Sequence, residues 1–332
     1  MSGTNARTGL SLHGMSTTFL TLTLNPALDI ATRTGQVQPT HKLRCSAPQY
    51  YPGGGGINVA RVLHRLGSPT TAWYLAGGCS GAQLQTLLQA EGVPAWPQPI
   101  AGQTRENLSV LEESTEQEFR FVLPGPTVLD TEWQACLDQL AALHPAPHWL
   151  VASGSLPPGV PDNFYARLAK QAQERGQRLV LDTSGPALAA ALRAGVYLVK
   201  PSLRELRELT GLALEQPVQW QAAAQSLVHQ GQTDMVALSL GEQGAVLASA
   251  SGIWQAPALP VPAAGGTTGA GDCFLAALVW ALAQGHHPAQ ALAWAVAGGA
   301  AALLSGGTKL AQVDDIARLQ PQVTICYLDK MF

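Results

Sequence analysis

The stretch Arg178-Leu-Val-Leu-Asp-Thr-Ser-Gly-Pro-Ala-Leu-Ala-Ala-Ala-Leu-Arg-Ala-Gly-Val-Tyr-Leu-Val-Lys200 sets two short apolar runs on either side of an alanine- and leucine-rich segment. Arg178 to Leu181 and Val196 to Val199 read as strands, and Ala187 to Ala194 as the helix between them. A strand, a helix and a second strand in so few residues describe neighbours in a parallel sheet, joined by a helical crossover. Each strand ends on an ionisable residue, Asp182 and Lys200, at the carboxyl edge where open α/β sheets gather their ligands.

The same alternation continues outward. Upstream, helix Thr131 to Leu143 precedes strand Trp149 to Ala152, and helix Pro161 to Arg175 leads into Arg178. Downstream, helices Leu203 to Leu209 and Val218 to His229 precede strand Met235 to Leu240, a β-meander over Gly244 to Gln255, and apolar helices Cys273 to Ala283 and Pro288 to Leu304. Near the amino end, strand Thr18 to Leu24 stops at Asn25-Pro26, and strand Thr70 to Ala76, helix Gly81 to Glu91 and strand Val93 to Trp96 form a further β-α-β unit. The fold class is therefore α/β, a mainly parallel sheet with helices on both faces. Two segments do not fit it: Ile30 to Gln49 reads as one hairpin, and Glu106 to Glu112 with Gln117 to Val122 as another, half-exposed one. Together they predict a small separate β-layer from about 30–50 and 104–124.

Two helix starts are loaded with glycine. Pro52-Gly-Gly-Gly-Gly-Ile-Asn-Val-Ala-Arg61 opens one, and Gly265-Gly-Thr-Thr-Gly-Ala-Gly-Asp272 opens the other. The first N–H groups of a helix lack intrahelical acceptors and sit at the positive end of its dipole, so they can hold a phosphoryl group, and glycine lets that group approach the backbone. Asp272 on the same first turn can take a proton from a hydroxyl. A glycine-rich turn with an ordinary capping carboxylate has the same pattern, and the residues alone leave both readings open. A dinucleotide fingerprint is disfavoured for the Pro52 stretch, which is not Gly-x-Gly-x-x-Gly after a strand and has no acidic residue at the expected spacing.

Polar groups and glycines recur at the strand ends: Asp29, Ser153-Gly154-Ser155, Asp182, Lys200 and Ser239-Leu-Gly241. Asp29 can accept from sugar hydroxyls or be a turn aspartate, and Asn58 can reach the same ligand or cap its helix. Arg105 and Arg120 in the second hairpin suit a substrate phosphate or plain solvation. Glu205 can orient a water on magnesium or belong to a solvated helix face with Arg204, Arg207 and Glu208.

Charged residues are 12% of the 332 and the net charge is −3, so no basic surface advertises nucleic acid or anionic membrane and the expected partners are small molecules. Cys45, Cys79, Cys136, Cys273 and Cys326 lack a ligand-type cluster and read as reduced thiols of a cytoplasmic protein. Met1 to Thr17 has no apolar core for a secretory signal and reads as a disordered extension, leaving 18–332 as one domain.

The two glycine-loaded segments resemble the signature segments of the ribokinase-like (PfkB) carbohydrate kinases. Thr21-Leu-Thr-Leu-Asn-Pro-Ala-Leu-Asp29, Lys42-Leu-Arg-Cys45, Thr104-Arg105, Arg120-Phe-Val-Leu-Pro-Gly125, Ser153-Gly-Ser-Leu-Pro-Pro-Gly159 and Ser239-Leu-Gly-Glu-Gln-Gly-Ala245 are similar to its phosphosugar branch, that of the minor 6-phosphofructokinases. The resemblance implies a three-layer α/β/α fold whose β layer is a lid and a homodimer interface. It implies ATP-dependent phosphorylation of a phosphosugar, the 1-hydroxyl of fructose 6-phosphate, with Mg2+. By resemblance Asp272 is the base and the N–H groups of Gly269, Ala270 and Gly271 form the anion hole. Asp29, Gly54, Gly55, Gly56, Asn58, Arg105 and Gly154 hold the sugar phosphate. Lys200, Ser202, Ser239, Gly241 and Gly244 lie along the nucleotide, with Glu205 on the magnesium side. A monovalent cation, K+, would sit near Thr268, Ser305 and Gly307.

Three departures from the family pattern stand out. Ser202-Leu-Arg-Glu205 replaces Asn-x-x-Glu, removing an amide from the magnesium and phosphate-water network. Ser305 replaces an asparagine at the cation site. Asn25-Pro-Ala-Leu-Asp29 is the version common in kinases of fructose 1-phosphate and tagatose 6-phosphate, whereas Gly55, where those usually carry lysine, favours fructose 6-phosphate.

Overall fold

The computed structural model describes residues 19–262, 266–305 and 307–328; the segment 1–17 and Gly265 lie outside them. In chain order the strands and helices are β1 (Phe19–Thr23), β2 (Ala27–Thr34), β3 (Gln49–Gly53), α1 (Gly55–Arg65), β4 (Thr70–Ala76), α2 (Gly78–Ala90), β5 (Ala95–Pro99), β6 (Arg105–Glu112), β7 (Glu118–Val122) and α3 (Asp130–Ala142). Then follow β8 (Trp149–Ser153), α4 (Phe164–Glu174), β9 (Arg178–Asp182), α5 (Gly185–Ala194), β10 (Val196–Val199), α6 (Leu203–Thr210), α7 (Pro217–His229) and β11 (Thr233–Ser239). The chain closes with β12 (Ala245–Ser249), β13 (Gly252–Ala256), α8 (Ala270–Ala283), α9 (Pro288–Leu304), α10 (Val313–Leu319) and β14 (Cys326–Leu328).

The ten-stranded sheet runs β14-β13-β12-β11-β10-β9-β8-β1-β4-β5. Pairing is parallel from β11 through β5, and antiparallel only from β11 outward to β14. Side chains alternate across it, as the strand repeat requires. Leu150, Leu179 and Leu181 join one core with Trp133 of α3, Phe164 of α4, Leu188 of α5 and Trp220 of α7. Val151, Val180 and Leu198 join the opposite core with Val59 of α1, Leu275 of α8, Ala295 of α9 and Ile316 of α10. Two apolar layers on the two faces of one sheet make the three-layer arrangement.

The expected β-layer exists with different edges. β2 runs from Ala27, so Asp29 lies inside a strand rather than in a loop past β1. Its antiparallel partner is β3, with Asp29 opposite Tyr51, so Ile30 to Gln49 is not a simple hairpin but one strand followed by a long excursion. Pro39 and Pro48 lack the N–H a ladder needs, which delays the return strand to Gln49. β2 also pairs in parallel with β6, joining both hairpins into the sheet β3-β2-β6-β7. The strand expected over Val93 to Trp96 instead spans Ala95–Pro99 and tolerates Pro97 and Pro99 because it is the sheet's edge. No helix among the described residues is long and apolar enough to cross a membrane.

Candidate active site

Gly269, at φ 78°, turns the chain into α8, which places Ala270, Gly271 and Asp272 on the first turn. Asp272 is held at one oxygen by Asn58, whose Nδ2 donates to Oδ2 at 2.8 Å across 214 residues. That bond joins the starts of the two glycine-loaded helices. Burial pushes the Asp272 carboxyl up to about 7, the nearby Asp182 adds to this, and Asn58 and Lys200 oppose it. A carboxyl balanced near neutrality can both accept and release a proton. Of the three expected anion-hole donors, the Ala270 N–H is directed at Thr267 O, at 3.3 Å.

Lys200 closes the side toward the sheet. Its Nζ lies 3.1 Å from Asp182 Oδ1, and a Cβ on Gly271 would sit 3.6 Å from the same nitrogen. Burial works against the Lys200 charge, but Asp182, Asp272 and Glu205 outweigh it and raise its pKa. Burial likewise raises Asp182, against the pull of Lys200. Asp182 accepts from Ser153 Oγ at 3.3 Å, and its carbonyl accepts from Gly154 N at 2.9 Å. The ends of β8, β9 and β10 are thus bonded to one another beneath α8.

The first glycine run packs onto these ends with no room for side chains. A Cβ on Gly55 would fall 2.1 Å from Ser153 Oγ, one on Gly56 2.6 Å from Leu22 O, and one on Gly53 2.2 Å from Asp29 Oδ2. Gly54 has φ 115° and Gly154 φ 114°, both in the region that favours glycine. Asp29 comes from the small sheet, with Asn107 Nδ2 donating to Oδ1 at 2.8 Å. Burial raises its carboxyl, opposed by Asn107 and by Arg120, Arg105 and Arg61. Arg105 donates to Leu123 O and Asn25 O, each at 3.0 Å, while its buried Nε has no partner among the described residues. A buried donor without a partner is costly, and a ligand oxygen would satisfy it.

The remaining expected residues lie farther along the edge. Ser202 caps α6, its Oγ accepting from Glu205 N at 3.2 Å while Glu205 Oε2 accepts from Ser202 N at 2.8 Å. This reciprocal cap occupies one oxygen of Glu205. Ser239 is bridged to Ser202 through its N–H, which donates to Pro201 O at 3.0 Å. Gly241, at φ 60°, and Gly244, at φ 92°, shape the turn after β11, one strand over from Lys200. Thr268 buries a hydroxyl without a partner among the described residues, Ser305 Oγ donates to Ala301 O at 3.4 Å, and Gly307 opens a short 3-10 turn.

Three participants were not expected from sequence. Asn107 orients Asp29, and nothing in its alternating strand marked it. Arg61 donates to Asn58 Oδ1 and is itself held by Glu91; Arg61 lies three residues after Asn58, a helical spacing that could have flagged it.

Comparison with known proteins agrees with this arrangement. Residues 23–315 match the family described as pfkB family carbohydrate kinase. The ATP-dependent 6-phosphofructokinase isozyme 2 of Mycobacterium tuberculosis (strain CDC 1551 / Oshkosh) is 44% identical over 299 residues, covering 90% of this chain and 88% of that protein. Phosphofructokinase-2 from Escherichia coli in complex with fructose-6-phosphate superposes with a TM-score of 0.86 at 39% identity, over 92% of this chain and 98% of that one. Its structure in complex with potassium gives a TM-score of 0.88 at 40% identity over the same shares of the two chains. The buried Asp272 carboxyl, the two glycine-started helices and the separate sheet thus occur in a chain that belongs to the pfkB family of carbohydrate kinases.

Proposed function

We propose that this protein transfers the γ-phosphoryl group of ATP to the 1-hydroxyl of fructose 6-phosphate, giving fructose 1,6-bisphosphate and ADP. The observation that carries the reading is the 2.8 Å bond between Asn58 and Asp272, which fixes a carboxylate at a helix start between the sugar-side glycines and Lys200. The named activity of the Mycobacterium tuberculosis relative supports the same reaction. So does the sugar phosphate bound in the Escherichia coli structure.

In this reading Asp272 accepts the proton of the attacking hydroxyl. The N–H groups of Gly269, Ala270 and Gly271 carry the charge that develops on the transferring phosphoryl, Ala270 exchanging its bond to Thr267 O for one to the phosphoryl oxygen. Asp29, Asn58 and the backbone of Gly54, Gly55, Gly56 and Gly154 hold the sugar hydroxyls, and Arg105 holds the 6-phosphate. The unpartnered Nε of Arg105 suits that task. A lysine at position 55 has no room against Ser153, which fits an acceptor different from that of relatives bearing lysine there.

Lys200, Ser202, Ser239, Gly241 and Gly244 border the ATP. Among the described residues there is no cluster of three or more His, Cys, Asp or Glu able to hold a metal by itself. Magnesium therefore fits as an ion brought by the nucleotide, with the second oxygen of Glu205 holding one of its waters, and it would neutralise phosphate charge. The orphaned Thr268 hydroxyl fits a monovalent cation held mostly by carbonyls, with Ser305 and Gly307 nearby in the chain, and the potassium complex of the relative supports the assignment.

The four-stranded sheet serves as lid and homodimer interface. Tyr50, Ile30, Leu108 and Phe121 stand in register across its strands, and Tyr50, Leu108 and Phe121 are 40%, 37% and 52% exposed. A row of large apolar side chains in water is the surface a second copy would cover. The reading includes a cytoplasmic location, which the five free cysteines support. The test is ADP release with fructose 6-phosphate, ATP and magnesium, with the product identified by phosphorus NMR. Release without a new 1-phosphate resonance would refute the assignment.

A further inference from the structure

Arg61, one turn after Asn58 on α1, is 2% exposed, and its guanidinium reaches three parts of the site at once. Its Nε and Nη2 grip Glu91 at 2.8 and 2.7 Å, at the end of α2. Its Nη1 is shared among Pro52 O at 3.2 Å, Asn58 Oδ1 at 3.3 Å and Thr308 O at 3.4 Å. Pro52 precedes the sugar-side glycines, and Thr308 follows Gly307.

The contact with Asn58 decides how that amide lies. An amide offers an oxygen at one end and an N–H2 at the other, and either can face Asp272. With Arg61 donating to Oδ1, the N–H2 is left toward the carboxylate and makes the 2.8 Å bond. Reversed, the amide would set an oxygen against a carboxylate oxygen and an N–H2 against a guanidinium.

We propose that Arg61, anchored by Glu91, is a positioning residue for phosphoryl transfer: it orients Asn58 so that Asn58 donates to Asp272, and it ties that orientation to the glycine loop and to the turn at Thr308. The inference rests on reading Asp272 as the base. The groups that face the Asp272 carboxyl are Asn58 from α1, Asp182 and Lys200 from the sheet edge, and Asp29 from the small sheet, and of these Asn58 and Lys200 hold it down. Loss of the Asn58 bond therefore lets the carboxyl keep its proton to higher pH.

The experiment is the pH profile of kcat for wild type, Arg61→Lys and the double variant Arg61→Met/Glu91→Met. Lysine keeps a charge against Glu91, but its single ammonium cannot serve Glu91 and Asn58 together; the double variant removes the buried guanidinium with its half-buried partner Glu91, so neither of that pair is stranded, and Arg65, the other cation on Glu91 at 3.5 Å, keeps access to water. In both, the acidic limb moves up by about one pH unit, so that kcat falls about tenfold at pH 6 and little at pH 9. Asn58→Ala shifts the limb equally, and adding Arg61→Lys to it shifts the limb no further. A purely structural role would lower kcat by one factor at all pH values, and an unmoved limb in the folded Arg61→Lys protein overturns the proposal. If wild type itself has no acidic limb near pH 7, the base assignment fails instead, which separates the two outcomes.

Discussion

Asp272→Asn separates the cost of the proposed base from its use. An ordinary aspartate ionises at 3.8, and Asp272 is pushed to about 7, mainly by burial. Between those values the folded protein binds a proton that the unfolded chain has lost, so stability falls as pH rises from about 4 to 7 and stays level above it. At about 1.4 kcal/mol per pH unit the gap is on the order of 4 kcal/mol. Solvent at the open edge of the cleft screens part of it, leaving about 2 kcal/mol. Asparagine carries no charge and still offers Asn58 an oxygen, so the variant should gain that amount above pH 7. In a chain of this size the gain raises Tm by about 3 °C at pH 8, shrinking toward nothing near pH 4. In the same variant kcat should fall by about 10² to 10⁴, the usual worth of a positioned general base. Differential scanning calorimetry across pH, paired with initial rates, checks both. A variant less stable than wild type at pH 8, or one keeping a tenth of the turnover, would refute the reasoning.

Other substitutions probe the remaining parts. Arg105→Ala should raise KM for fructose 6-phosphate by roughly tenfold to a hundredfold with kcat altered less, as loss of a charge-assisted contact predicts, and an unchanged KM in steady-state assays speaks against a phosphate role. Gly55→Ala would place a Cβ 2.1 Å from Ser153 Oγ, so kcat/KM should drop by about 1–3 kcal/mol equivalent; wild-type rates would show that the loop yields freely. Phe121→Glu with Leu108→Glu should yield a monomer in light scattering while leaving the melting temperature nearly unchanged, and a persistent dimer would move the interface elsewhere. Ser202→Asn preserves a good helix cap, so Tm should hold within about 1 °C while KM for ATP reports what the missing amide contributes.

The fold was legible where residue pattern and burial agree. Arg178–Asp182 and Val196–Val199 are short and apolar because both faces of their sheet are covered, and Trp149–Ser153 shows the same pattern for the same reason. The edges were harder to read. β14 has an exposed surface and little apolar signal, and the prolines of β5 obscured a strand that an edge position permits. The glycine-started helices and Asp272 were visible because close backbone approach demands glycine. Asn58 pointing at Asp272, by contrast, depends on a contact spanning 214 residues, which no local pattern encodes. For Arg61 the helical spacing points to Asn58 but says nothing of the Pro52 and Thr308 carbonyls or of Glu91, which the tertiary fold brings to it.

The most direct measurement of the central claim is a comparison of kcat/KM with ATP for fructose 6-phosphate, fructose 1-phosphate and tagatose 6-phosphate. With Gly55 seated against Ser153, and with Arg105 in its proposed role on the 6-phosphate, fructose 6-phosphate should exceed fructose 1-phosphate by at least about a hundredfold, with phosphate added at the 1-hydroxyl. A preference for fructose 1-phosphate, or phosphate appearing at another hydroxyl, would contradict the account.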